Sequence, residues 1–142
     1  MSISPKKARE ILLQILFALE TGDLEREEMV SLLMGELKVT RRNVEEAIDK
    51  ALVMRSRKEG LDSYMRNFAQ EHVLEKIGKL EWILARLLLD EVRHDALSPS
   101  IAIAEGIRLA RKFSAPEAGP FIHALLDALF KEVKGNAPVS AC

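Results

Sequence analysis

The chain has 142 residues, the size of one domain and enough to bury a hydrophobic core without disulfide or metal staples. Its hydrophobic fraction of 48% and charged fraction of 30% exclude a disordered chain. The formal net charge of −1 excludes a polycation, so any binding of nucleic acid needs local basic patches.

The single cysteine, Cys142, excludes an intramolecular disulfide and favours a reducing compartment. The N-terminus carries no apolar stretch of the secretory kind. No apolar run approaches the ~20 residues that span a bilayer. We therefore expect a cytoplasmic protein with no membrane span.

Apolar residues in the first half of the chain recur at helical spacing. Ser4-Pro5 is a strong helix start, because serine caps free N–H groups and proline is pre-set for the first turn, and Gly22 ends this helix. Asp23 and Thr40 are predicted to cap the second and third helices. Gly60 is predicted to end the third.

The second half continues the helical pattern. Asp62 is predicted to start a short fourth helix. The stretch 80–92 has apolar residues on more than one face, which predicts a central, buried helix. Ser98-Pro99 repeats the Ser-Pro start, and residues 116–120 open the last helix.

No segment shows the alternation of a strand, and no repeat or linker divides the chain. The sequence therefore predicts an all-α, single-domain bundle of about six to seven helices over residues 1–134. The small and polar stretch 135–142 is predicted to be a flexible tail.

Candidate catalytic and metal-binding groups do not cluster in the sequence. The histidines are far apart and lack the spacing of metal ligands. Cys142 has no fixed neighbour to activate it, and the side chains of Asp90 and Glu91 diverge on a helix. We expect neither an enzyme nor a bound metal or cofactor. The histidines are His72, His94 and His123.

Three basic clusters are the more informative polar feature. For any one of them, scattered solubilising charge is the simplest interpretation. The first cluster lies at a helix N-terminus, where the helix dipole disfavours cations, and this favours an anionic partner. The clusters are Lys6, Lys7 and Arg9; Arg55, Arg57 and Lys58; and Arg108, Arg111 and Lys112.

Four segments resemble those of the NusB family. Lys6–Glu10 followed by Leu13–Phe17 is similar to the family's basic run and its Ala-Leu-Gln-x-Leu-Tyr helix. Leu74–Glu81, continuing to Arg86, resembles its central segment. Ile101–Phe113 looks like Val-Ala-Ile-Asn-Glu-Ala-x-x-Leu-Ala-Lys-x-Phe, and Phe121–Asp127 looks like Phe-Val-Asn-Gly-Val-Leu-Asp. The resemblance is nearly absent between residues 22 and 70.

This resemblance implies an all-α bundle of about seven helices and a role in transcription antitermination. Such a factor binds the boxA element of ribosomal RNA leader transcripts. It does so as a heterodimer with NusE, a small-subunit ribosomal protein, within the RNA polymerase antitermination complex.

The resemblance also implies two sets of site residues. Basic groups would hold phosphates, and an aromatic ring would stack on an unpaired base. For Phe121, packing in the core is the competing interpretation. The RNA-contacting set is Lys6, Lys7, Arg9, Glu117 and Phe121. The partner-facing set is Phe17, Glu75 and Glu81.

The chain departs from the family pattern at several positions. Ala104 and His123 replace two asparagines, Ala124 replaces a glycine, and Asp90 replaces a tyrosine. One alternative is the NusB-like domain of certain ribosomal RNA cytosine methyltransferases, but their catalytic domain has no counterpart here. A second alternative is a helical protein-interaction module, possibly a homodimer, with reduced or lost RNA binding.

Overall fold

The computed structural model describes residues 3–22, 24–68 and 76–135, with side chains up to Lys131 in the last helix. None of these residues lies in a strand, which confirms the prediction of an all-α fold. The helices whose bounds lie in the described ranges are α1 (Pro5–Thr21), α2 (Arg26–Leu37), α3 (Arg41–Ser56), α4 (Lys58–Phe68), α5 (Lys79–His94), α6 (Pro99–Phe113) and α7 (Ala118–Gly135).

The helices form two compact units, Met1–Ser56 and Arg57–Cys142. In the first unit α1, α2 and α3 pack against one another. In the second, α5 packs against α4, α6 and α7, while α6 and α7 form an extensive helix pair. A single domain over residues 1–134 stays a prediction. The predicted cap Asp23 and the tail residues 136–142 lie outside the described residues.

Local capping signals give three helix starts correctly. In each case a side-chain hydroxyl of the predicted cap accepts a hydrogen bond from a backbone N–H in the first turn, as expected for serine and threonine. These bonds are Lys7 N–H to Ser4 Oγ at 3.1 Å, Asn43 N–H to Thr40 Oγ1 at 3.1 Å and Ile101 N–H to Ser98 Oγ at 3.2 Å.

The predicted boundary between the third and fourth helices is wrong. The break comes earlier, between Ser56 and Lys58, and Gly60 lies inside α4. Asp62 is also interior to α4 and caps nothing. Its carboxylate is buried and accepts hydrogen bonds from Trp82 and Arg86 of α5. Long-range pairing thus overrides the turn signal that glycine and aspartate give in sequence.

The prediction of a central helix is confirmed for α5. Ile83 to Leu89 are all buried, so apolar side chains leave this helix in every direction. Such a helix must be covered on several sides. Its contacts with α4, α6 and α7 provide that cover.

A glycine allows the close approach of α6 and α7. A Cβ built on Gly106 would overlap Leu126 Cδ1 and would lie 3.1 Å from Leu88 Cδ1. Gly106→Ala should therefore lower the free energy of unfolding by about 1–3 kcal/mol, because overpacking outweighs the gain in helix propensity.

Gly60→Ala is the matched control for this prediction. Gly60 is also helical, but a Cβ there would meet nothing within 4 Å. The same substitution should stabilise the chain by about 0.5–1 kcal/mol. Urea denaturation measures both variants, and a stabilised Gly106→Ala protein would contradict the close packing of α6 on α7.

Candidate functional site

A cleft of about 240 Å³ opens in the second unit, where the N-terminus of α5 meets the connection between α6 and α7. Three predicted site residues line it: Glu81, Glu117 and Phe121. The structure thus brings one predicted partner-facing residue together with two predicted RNA-contacting ones. The other lining residues are Lys76, Gly78, Ser114, Ala115 and Ala118.

The carboxylate of Glu81 is held in place within the cleft. Ser114 Oγ donates a hydrogen bond of 2.7 Å to Glu81 Oε2. The other oxygen, Oε1, lies only 2.5 Å from the place that a Cβ on Gly78 would take. Glycine at position 78 therefore leaves room for this carboxylate, and the hydrogen bond from Ser114 restricts where it points.

Phe121 lies in the first turns of α7, half-buried against the cleft. Its neighbour Ile122 is fully buried, so the helix turns its core face away from the cleft at this point. Lys76 and Glu117 are exposed members of the lining. An accessible ring flanked by polar groups can stack on a flat ligand and bond its edge.

A buried polar cluster supports α5 beside the cleft. Asp62 Oδ1 accepts hydrogen bonds from Trp82 Nε1 at 2.8 Å and from an Arg86 nitrogen at 3.1 Å. Its other oxygen lies 3.3 Å from the ammonium of Lys58. The side chains of Asp62 and Arg86 are only 6% and 5% exposed. These bonds tie α4 to the first turns of α5, the helix that carries Glu81.

The second and third basic clusters are partly neutralised by ion pairs within the chain. Arg57 binds Asp90 through two nitrogens, at 2.8 and 3.1 Å, and the hydrogen bonds to this carboxylate raise the pKa of the guanidinium. Lys58 pairs with Asp62. Arg108 binds both carboxylate oxygens of Glu105. Ion pairing, which sequence proximity does not reveal, thus leaves less charge for an external anion.

The predicted residues of the first unit differ in exposure. At the start of α1, Lys6 is exposed and Lys7 is half-buried, whereas Arg9 is only 8% exposed. Phe17, later in the same helix, is 36% exposed. The predicted partner residue Glu75 lies outside the described residues.

The departures from the family pattern fall mainly on the surface. Ala104, His123 and Ala124 are exposed on α6 and α7. Asp90 is different, because it is buried and its charge is paired with Arg57.

The sequence does not predict five of the eight described residues that line the cleft: Lys76, Gly78, Ser114, Ala115 and Ala118. Gly78 stands out only as a helix break, and Lys76 lies in a segment that resembles the family without suggesting a role. Ser114 carries no local signal, because its hydrogen bond to Glu81 depends on how α6 packs on α5.

Within the described part of the chain, no group of three histidine, cysteine, aspartate or glutamate residues is placed to hold a metal ion. No helix among the same residues is both long and apolar enough to cross a membrane.

Comparisons with known proteins agree on one family. The model of the NusB family matches residues 6–131. The chain is similar to the transcription antitermination protein NusB of Chlamydia pneumoniae, with 33% identity over 92% of this chain and 82% of that protein. It is also similar to the proteins of that name from Chlamydia muridarum (33% identity, 96% and 85% coverage) and Dehalococcoides mccartyi (29% identity, 96% and 96%).

Proposed function

Because the chain belongs to the NusB family, we propose that it acts in the cytoplasm as a transcription antitermination factor. In this proposal it binds boxA-type leader RNA of ribosomal RNA operons together with NusE, the small-subunit ribosomal protein. The complex then helps RNA polymerase to resist termination. The relatives' name supports the antitermination role, and the RNA and the partner follow from the family resemblance.

The observation that carries RNA binding is the cleft around Phe121. Proteins recognise unpaired RNA bases by stacking them on aromatic rings and bonding their edges. Phe121 offers a half-buried ring, and Glu117 and Lys76 offer polar groups in the same cleft, which the predicted partner-facing Glu81 also lines. In the proposed function Phe121 stacks on one base of the RNA.

Lys6 and Lys7 supply the proposed phosphate contacts. Both lie in the first turn of α1, and neither is buried. Arg9 belongs to the same predicted set, but its burial gives it a part in holding the first unit together rather than a large share of the phosphate contact.

A salt titration tests the phosphate contacts. For the Lys6→Ala/Lys7→Ala double variant, the plot of log affinity for boxA RNA against log salt should be flatter by about 0.7–1 unit per lost contact. Lys50→Ala/Arg55→Ala removes the same charge from α3 and should leave the slope unchanged. Equal slopes for the two double variants would show that Lys6 and Lys7 are ordinary surface charges.

A protein-interaction module with little RNA affinity is the second candidate function. The ion pairs of Arg57, Lys58 and Arg108, together with the burial of Arg9, favour it because they reduce the positive charge that the basic clusters offer to RNA. Phe17 is a partly exposed aromatic that could anchor a protein partner. This alternative expects NusE binding that RNA does not change, and RNA binding that neither salt nor NusE changes.

A further inference from the structure

The hydrogen bond between Ser114 and Glu81 joins the end of α6 to the first turn of α5. Ser114 follows the last residue of α6, and its hydroxyl donates to Glu81 Oε2 at 2.7 Å. The free N–H groups at the start of α5 also favour a carboxylate there, but the helix dipole does not fix the direction of a side chain. Lys76 lines the same cleft, yet among the described residues it makes no ion pair with Glu81. Ser114 is therefore the neighbour that orients this carboxylate.

Glycine at position 78 leaves space around the other oxygen of Glu81. The backbone at Gly78 is extended, with φ −77° and ψ 164°, a conformation that any residue adopts. A Cβ at this position, however, would lie 2.5 Å from Oε1 and 3.3 Å from Cδ of Glu81. The lack of a side chain at position 78 thus matters for the carboxylate and not for the backbone.

A carboxylate with one oxygen held and the other open is prepared to bind a donor from another molecule. Glu81 is half-buried in the lining of the cleft, and in the described part of the chain no donor occupies Oε1. A free glutamate side chain loses rotamer entropy when it is fixed in an interface. A side chain that is already held by Ser114 loses less, so the same contact gives a higher affinity.

We propose that Ser114 is a positioning residue for partner binding, which holds Glu81 so that Oε1 accepts a hydrogen bond from an N–H donor of NusE. This inference rests on the proposed function, in which Glu81 faces NusE, and deepens it by naming the residue that prepares the contact. Ser114 acts through Glu81 and does not itself touch the partner. It has no part in the stacking of a base on Phe121.

The test measures the affinity of the full-length chain for NusE in the absence of RNA. Ser114→Ala should weaken this binding by about 2- to 10-fold, which corresponds to the entropy of ordering one flexible side chain. Ser114→Thr keeps the hydroxyl and should bind NusE like the wild type. Ser63→Ala removes the hydroxyl of an exposed serine of α4 and should leave the affinity unchanged.

A double-mutant cycle distinguishes positioning from direct contact. Glu81→Ala should weaken NusE binding at least as much as Ser114→Ala does, and the double variant should bind no more weakly than Glu81→Ala alone. Gly78→Ala should also weaken binding, because the new Cβ would displace Oε1. Gly60→Ala is its control, since a Cβ there would meet nothing within 4 Å. Additive losses from Ser114→Ala and Glu81→Ala would overturn the inference.

A bond that only ties α5 to α6 predicts a different result. Ser114→Ala would then lower the free energy of unfolding, measured by urea denaturation, and leave the NusE affinity of the folded protein unchanged. Affinity for boxA RNA without NusE should stay at the wild-type value, and an equal loss for RNA and NusE would also overturn the inference. Either result leaves the proposed function intact. If the wild-type chain fails to bind NusE, with or without boxA RNA, the proposed function fails together with the inference.

Discussion

Asp62→Ala should lower the free energy of unfolding by about 3 kcal/mol, because it removes the acceptor from a buried cluster of donors. The substitution leaves the Arg86 guanidinium, 5% exposed, without its Asp62 partner and removes the acceptor of Trp82 Nε1. Arg86 has a further interaction, which keeps the expected loss at the lower end of the range for broken buried pairs.

Urea denaturation followed by the fluorescence of Trp82, the one tryptophan of the chain, measures this loss. Asp127→Ala is the matched control in the same unit. Its ion pair with Lys131 is exposed, with the two side chains 50% and 75% accessible, so its removal should cost about 0–1 kcal/mol. Similar losses for the two variants would show that the Asp62 cluster contributes no more than a surface pair.

The helix boundaries that the sequence predicts correctly depend on short-range bonds, whereas the mispredicted one depends on the long-range bonds of Asp62. The starts of α1, α3 and α6 are set by bonds that span three residues, and the sequence alone predicts them. The junction of α3 and α4 is mispredicted because Asp62 bonds to residues more than a helix away along the chain. A local reading of Gly60 and Asp62 as turn residues cannot include that partner.

The candidate site is less predictable from the local sequence than the helix starts are. The predictions of Phe121, Glu117 and Glu81 rest on the family resemblance alone, since nothing in their local spacing indicates a cleft. The structure adds Gly78 and Ser114, whose importance depends on the packing that holds Glu81. In the basic start of α1, helical spacing does not reveal that Arg9 is buried while Lys6 is exposed.

We expect boxA RNA and NusE to bind this chain cooperatively. With a net charge of −1, and with Arg57, Lys58 and Arg108 of its basic clusters in ion pairs, this chain should bind boxA RNA weakly by itself. In the proposed complex, NusE would add further contacts to the RNA without a proportionate increase in the entropy that the RNA loses. The mixture with NusE should therefore bind the RNA about 5- to 150-fold more tightly than either protein alone.

By thermodynamic linkage, boxA RNA must increase the affinity of this chain for NusE by the same factor.

Phe121→Ala should weaken RNA binding by about 5- to 100-fold, corresponding to the loss of one stacked base, while affinity for NusE without RNA stays nearly unchanged. Phe113→Ala removes another half-buried ring, at the end of α6 and outside the cleft lining, and should leave RNA affinity near that of the wild type.

The measurement is a titration of labelled boxA RNA with the chain, with NusE and with their mixture, for the wild type and both variants. Circular dichroism of each variant shows whether the helices remain formed. A mixture that binds RNA no better than its stronger component would refute cooperative recognition. If the Phe121→Ala protein loses its helical structure, the ring of Phe121 serves to pack the core. Equal losses of RNA affinity in the two phenylalanine variants would instead show that Phe121 makes no specific contact with a base.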